Sequence, residues 1–326
     1  MARAVELAQA VRSLTSPNPW VGCVIVDRSG EVVGEGATAR YGGPHAEAAA
    51  LAMAGERARG ATVYVTLEPC AHEGRTPPCA DGLIAAGVAK VTAAIADPDA
   101  KVSGAGFRAL DRAGVEVETG LLAGEVSEQL RPYLVQRATG RPYVVLKLAM
   151  SLDGRTAAPD GSSRWITGPE ARRDVHRLRT ESDAVLVGAG TVRLDDPELT
   201  VRDEDAGGEG QLRQPLRVVL GTAPSDARLQ PALELGGELG EVLDELGRRR
   251  IVQLLVEGGA DVAGRFHRAG LVDRYVFYLA PMLLGGEDGR PVFAGVGAST
   301  MEQAWRGRLV SLRRLGGDLR VDFESR

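Results

Sequence analysis

Short apolar runs alternate along the chain with stretches whose apolar residues recur at helical spacing. The first 120 residues predict a helix over 2–13, a strand over 21–27 (VGCVIVD), a Ser-Gly turn and a strand over 31–36 (EVVGEG). Next come a helix from about 45 to 57, a strand over 61–67 (ATVYVTL) and a helix over 79–86. A strand over 90–96, a helix over 104–113 and a short strand over 115–120 close the series. Residues 121–140 read as helical linking sequence, ending at Thr139-Gly140-Arg141-Pro142. A second series follows: strand 142–154 (PYVVLKLAMSLDG), helix 169–181, strands 183–190, 215–221 and 250–259, and helix 260–269. Residues 272–286 and 308–324 complete it as strands with a hairpin, while 202–211 and 231–242, rich in glycine and acids, read as loops. Strands alternating with helices in this way predict two layered α/β domains, over residues 1–140 and 141–326.

Composition narrows the function classes. Hydrophobic residues make up 44% and charged residues 25%, the balance of an ordinary globular protein. No apolar run approaches the ~18 residues of a membrane span. The amphipathic start, MARAVELAQAVRSL, lacks a signal peptide's apolar core, which makes the cytoplasm the expected compartment. The net charge of −5 is shared by both halves, so neither has the basic balance of a nucleic-acid binder. Of 39 basic residues only Lys90, Lys101 and Lys147 are lysines, leaving 36 arginines, so a single arginine carries little information by itself.

The chemistry-bearing residues cluster. Cys23 sits in an apolar strand and reads as core. Cys70 and Cys79 fall in EPCAHEGRTPPC (68–79), which is open to three readings: a disulfide loop, a metal site, or a turn with small buried thiols. Three cysteines in a reducing compartment argue against a disulfide framework. Upstream lies PHAEAAAL (44–51), and together the segments give His45-x-Glu47, then Pro69-Cys70 and Cys79. Zinc deaminases of bases use this set, one His and two Cys as ligands with a glutamate that moves protons without binding metal. Three protein ligands leave a fourth position for water, and His45 and Cys79 both open predicted helices, where the backbone favours negative charge. A structural staple with His72 as a fourth ligand stays open at this point, as does a solvated helix turn beside buried cysteines.

Eight residues, AHEGRTPP, separate the cysteines instead of two. With that insert, HAE, TLEPCAHEGRTPPC and SPNPWVGCVIVD (16–27), the chain resembles the bifunctional riboflavin-biosynthesis deaminase–reductases. The second half continues the resemblance through KLAMSLDGRTA, SSRWITG, ARRDVHRLR, VGAGTVRLDDPELTVR and LLVEGGADVAGRFHRAGLVDRYVFYLAPMLLGG. The resemblance implies a cytidine-deaminase-like α/β/α domain followed by a dihydrofolate-reductase-like α/β domain. It also implies one zinc ion per chain, NADPH, and a phosphorylated diaminopyrimidine that is deaminated and then reduced at its ribose. Carried over by position, His45, Cys70 and Cys79 hold zinc, Glu47 is the proton shuttle, and Asn18 and His72 face the pyrimidine. Ala149, Trp165, Thr191, Asp195 and the run Gly259, Ala260, Asp261, Val262, Ala263, Gly264 and Arg265 contact NADPH. Ser163, Arg179, Leu199, Arg202 and Glu257 contact substrate, and Lys147 is a proton or charge partner.

Read as residues alone, the reductase signals are weaker. Glycine pairs after apolar strands bring backbone N–H groups to a diphosphate or simply turn the chain, and Asp195-Asp196-Pro197 reads equally as a cap. The chain departs from the family at Ala49, where a polar residue is usual, and at DPDAKVSG (97–104), where Asp-Pro-Asn-Pro is usual. It is also expected to lack a strand and helix between residues 221 and 250. That last departure motivates the rival reading, an active deaminase whose second half no longer reduces or acts on a related pyrimidine or pteridine. A nucleic-acid deaminase is disfavoured by charge. The resemblance further implies a homodimer or homotetramer, with no nucleic acid and no membrane as partner.

Overall fold

A computed structural model describes residues 1–73, 77–99, 102–202 and 213–325 and divides into two compact units, Met1–Gly140 and Arg141–Arg326. In chain order the first holds α1 (Ala2–Ala10), β1 (Gly22–Val26), β2 (Val32–Ala37), α2 (Ala46–Ala54), β3 (Thr62–Leu67), α3 (Cys79–Ala86) and β4 (Lys90–Ile95). It ends with α4 (Ala105–Arg112), β5 (Glu116–Thr119), α5 (Ala123–Gln129) and α6 (Arg131–Thr139). The sheet runs β2-β1-β3-β4-β5, antiparallel on the β2 side and parallel from β3 to β5. Cys23 is a wholly buried core residue of β1.

The alanine run of α2 has a packing cause. A Cβ on Gly34 would stand 2.2 Å from the Ala50 carbonyl oxygen, and one on Gly36 would stand 2.1 Å from that of Ala46. The helix therefore lies almost on the β2 backbone, and only small side chains fit the seam. Ala49, unusual against the family pattern, faces Gly36, its Cβ 3.0 Å from a Cβ built there. Close docking fixes the N-terminal turn of α2, which carries the candidate metal residue His45 and Glu47.

The second unit comprises β6 (Tyr143–Ser151), β7 (Arg155–Ala157), α7 (Pro169–Thr180), β8 (Ala184–Gly188), α8 (Ala189–Asp195), β9 (Leu216–Leu220), β10 (Leu233–Leu235) and α9 (Leu239–Arg248). It continues with β11 (Gln253–Val256), α10 (Ala260–Arg268), β12 (Arg274–Ala280), β13 (Arg290–Pro291), β14 (Gly307–Leu315) and β15 (Asp318–Ser325). Its main sheet has the order β10-β9-β8-β11-β6-β12-β15-β14, parallel from β10 to β12 and antiparallel beyond. Buried Leu146, Leu186, Leu254, Leu243, Leu246 and Phe266 meet in its core.

Residues 231–242 correct the expectation of a loop and of a missing strand and helix. Leu233–Leu235 pairs in parallel with β9, and Leu239–Arg248 is a helix. Leu239, Val242, Leu243 and Leu246 of that helix are buried, the i, i+3, i+4, i+7 spacing of a core-facing stripe. Gly236, Gly237 and Gly240 interrupt the pattern at its start and hid it. Two smaller corrections concern boundaries: GAGTV (188–192) enters a helix rather than extending a strand, and the strand over 250–259 shrinks to β11. Most of the loop expected over 202–211 lies outside the described residues. Among the described residues, no helix is long and apolar enough to cross a membrane.

Candidate active sites

In the first unit, three loops bring one histidine and two cysteines together. His45 is the N-cap of α2, Cys79 begins α3, and Cys70 ends the strap that follows β3. Cys70 is docked onto the start of α3, its carbonyl accepting the Ala80 N–H at 3.1 Å and its sulfur the Cys79 N–H at 3.4 Å. The helix thus gathers both thiols with amides it could not bond internally. His45 Nδ1 lies 3.6 Å from Cys70 Sγ and 3.3 Å from Cys79 Sγ.

A tetrahedral zinc with ordinary Zn–N and Zn–S bonds needs those atoms about 3.6 Å apart, so the donor set fits zinc. A hydrogen bond from Cys79 lowers the Cys70 thiol to about 4, although burial opposes it. The same bond, with burial, holds Cys79 above the usual thiol range. Glu47 is buried in the first turn of α2. Burial pushes its carboxyl up to about 7, a value suited to taking and returning a proton near neutrality.

His45, Glu47 and Cys70 open on a cavity of about 310 Å³. Asn18 and His72 line it, Asn18 on a loop held by Thr15 through both backbone and hydroxyl bonds, His72 exposed. His72 is not among the three groups whose ligand atoms all lie within 4.8 Å of one another. Sequence reasoning missed several lining residues: Thr38, Glu68, Asp97, Tyr133 and Arg137. Asp97 accepts the Tyr133 hydroxyl at 3.1 Å. Asp99, where the family usually has asparagine, lies 3.3 Å from Arg137 Nε, which provides that departure with a counter-charge. Only adjacency to Pro69-Cys70 and to Asp97-Pro98 signalled any of these in the sequence.

The second unit has a cavity of about 670 Å³ at the carboxyl ends of parallel strands, where open α/β sheets bind ligands. Lys147, Ala149, Ser163, Trp165, Arg179, Thr191, Asp195, Leu199, Arg202, Glu257, Gly259 and Ala260 all line it. Asp261 and Arg265 do not, and Val262, Ala263 and Gly264 are buried inside α10, so only the start of that run meets the cavity. Leu199 lines it with φ of +54°, a left-handed backbone unusual for leucine. Arg172, His176 and Arg228, all missed from sequence, also face the space, and the Arg172 guanidinium lies 4.5 Å over the exposed Trp165 ring.

Glu257 is the charge centre. Arg179 Nε and Nη2 donate to its two oxygens at 2.6 and 3.1 Å, and Lys147 Nζ lies 3.9 Å away. Gly258 and Gly259 follow it into α10, and Gly259 N–H donates to Thr191 Oγ1 at 3.3 Å. A Cβ at Gly258 would stand 2.5 Å from Val262 Cβ, so glycine keeps this backbone low and open at a helix N-terminus. That cradle fits the diphosphate of a dinucleotide.

Comparison with known proteins agrees in both halves. A family model described as the cytidine and deoxycytidylate deaminase zinc-binding region matches residues 1–95, and one described as the RibD C-terminal domain matches 142–321. The riboflavin biosynthesis protein RibD of Escherichia coli is 43% identical, over 98% of this chain and 96% of its own. That of Mycobacterium tuberculosis is 45% identical, over 100% and 96%. Among solved structures, Acinetobacter baumannii RibD superposes with a TM-score of 0.94 at 40% identity, covering 99% of this chain and 97% of that one. A diaminohydroxyphosphoribosylaminopyrimidine deaminase/5-amino-6-(5-phosphoribosylamino)uracil reductase from Thermotoga maritima gives 0.88 at 33%, covering 100% and 97%.

Proposed function

The chain belongs to the RibD family of riboflavin-biosynthesis deaminase–reductases, and on that premise we propose how its two cavities divide the work. The first deaminates 2,5-diamino-6-(5-phosphoribosylamino)pyrimidin-4-one, and the second reduces the ribosyl group of the product to ribityl. One observation carries the first assignment: His45, Cys70 and Cys79 converge beside a buried Glu47, and His45, Cys70 and Glu47 line a single cavity.

His45, Cys70 and Cys79 would hold zinc, which supplies a Lewis acid that makes water nucleophilic near neutral pH. Glu47 takes the proton of the attacking water, passes it to the ring nitrogen, and delivers a proton to the departing amine. Asn18 and His72 orient the pyrimidine from the cavity wall. In the second unit Gly259, Ala260, Thr191, Asp195, Ala149 and Trp165 would hold NADPH, which supplies a hydride for C1′ of the ribosyl group. Opening the sugar ring leaves an oxygen in need of a proton. Lys147 is the cavity's one lysine and lies beside Glu257, placed to give that proton from Nζ. Arg202, with a largely exposed side chain, and Ser163 receive the phosphate.

The ground for a failing reductase was the expected gap between β9 and β11. Strand β10 and helix α9 fill it, which removes that ground. A cytoplasmic homodimer or homotetramer belongs to the same reading, supported for the compartment by three free cysteines. The direct experiment supplies the diaminopyrimidine phosphate with and without NADPH. Ammonia release in both, with ribityl product only when NADPH is present, is the expected outcome. Ribityl product without ammonia would overturn the order of steps.

A further inference from the structure

The first cavity contains a carboxylate to which no step above gives a task. Glu68 lies two residues before Cys70, lines the cavity and is 4% exposed. Its Oε2 accepts the N–H groups of Asp97 at 3.2 Å and Gly104 at 3.0 Å. Its Oε1 accepts those of Gly106 at 2.9 Å and Phe107 at 3.5 Å. Four amides, from the end of β4 and from the start of α4, thus converge on one side chain. Acceptors of this kind match the unsatisfied N–H groups of a helix start, and charge-assisted bonds of this type are the strong ones.

A second contact holds the same seam. A methyl at Gly106 would stand 1.8 Å from the Pro69 carbonyl oxygen, so α4 presses its backbone directly on the strap that ends in Cys70. Between the anchored ends, Asp97, Asp99 and Val102 form one wall of the cavity. Glu68 therefore couples the strap that carries a thiol to the cavity wall made by Asp97, Asp99 and Val102.

We propose that Glu68 is a positioning residue for deamination, acting through Asp97 and Asp99 by locking their loop to the Cys70 strap. The inference rests on the deaminase reading of this cavity. It predicts a defect in substrate binding, because the wall moves while the thiols and Glu47 stay on α2, α3 and the strap. A group that only supported the core would lower stability and the amount of active protein without changing KM.

The test uses the full chain with zinc bound. Glu68→Gln keeps the shape but turns an NH2 group toward two of the four amide donors. KM for the diaminopyrimidine phosphate should rise about tenfold, with kcat held within about threefold. Zinc content and NADPH-dependent reduction of the deaminated product should match the parent. Gly106→Ala strains the same seam without touching the charge and should repeat the KM-weighted defect, so it decides the matter if Glu68→Gln does not fold. Unchanged KM in the folded variants overturns the inference, as does loss of zinc in proportion to loss of activity. A parent protein that releases no ammonia would instead sink the deaminase reading itself.

Discussion

Both oxygens of Glu257 accept from one edge of the Arg179 guanidinium, with Nε and Nη2 at 2.6 and 3.1 Å. The third nitrogen, Nη1, donates to the Thr200 carbonyl at 3.2 Å. The family resemblance implies that Arg179 contacts substrate, and in the structure its planar fork is turned onto a carboxylate inside the cavity. Burial would raise the Glu257 carboxyl, but the Arg179 charge and hydrogen bonds, with Lys147 beside them, outweigh it and hold it below the usual range. The pair thus keeps a buried charge ionised next to the only lysine of the second unit.

Arg179→Lys should therefore be a severe change despite conserving charge, because an ammonium cannot reproduce two parallel bonds. Reduction is expected to lose at least about tenfold in kcat/KM, while ammonia release stays at the parent rate. Equal damage to both activities in the same preparation would refute a local role.

The pH profile of reduction follows from Lys147. Burial lowers its pKa below the usual lysine value, Glu257 opposes that shift and Arg179 adds to it. If Nζ supplies the proton, reduction requires the charged form, so activity falls as pH rises through this lowered pKa. Glu257→Gln removes the opposing charge, so the alkaline limb should move to lower pH. Measured with the deaminated substrate and NADPH, a limb that stays put or moves upward would exclude Lys147 as the donor.

The balance between what was legible and what was not has a physical cause. His45, Glu47, Cys70 and Cys79 were readable because metal chemistry restricts residue type, and each lies at an element boundary that proline or an N-cap position marks. Helix α9 was lost because glycines at 236, 237 and 240 broke up an apolar stripe that becomes regular only from Leu239 onward. Glu68 and the Arg179–Glu257 fork could not be read in advance, since their partners lie 29 to 39 residues away for one and 78 for the other. Ordinary charged residues acquire meaning only from such distant neighbours.

Removal of the proposed ligands should separate metal from proton transfer. Cys70→Ala and Cys79→Ala are expected to lose the zinc that the parent carries, about one ion per chain by metal analysis. Glu47→Ala should keep it and lose roughly a hundredfold or more in ammonia release. Full zinc retention in both cysteine variants would remove the metal assignment, and an active Glu47→Ala would place the proton shuttle elsewhere.

Val262 fills the space that side chains at two glycines would need. A Cβ at Gly258 would stand 2.5 Å from Val262 Cβ, and one at Gly188 would stand 2.7 Å from its Cγ2. Gly258→Ala must therefore shift the turn into α10, disturbing the backbone proposed to meet the diphosphate. NADPH binding, followed by fluorescence titration, should weaken by about tenfold or more, with deamination unaffected. Val262→Ala alone trims a buried side chain and should cost about 2 kcal/mol of stability. Alanine at 262 keeps the Cβ that lies 2.5 Å from the added methyl, so the double variant should bind NADPH no more tightly than Gly258→Ala alone. Parent-like NADPH affinity in Gly258→Ala would show that this backbone does not serve the cofactor.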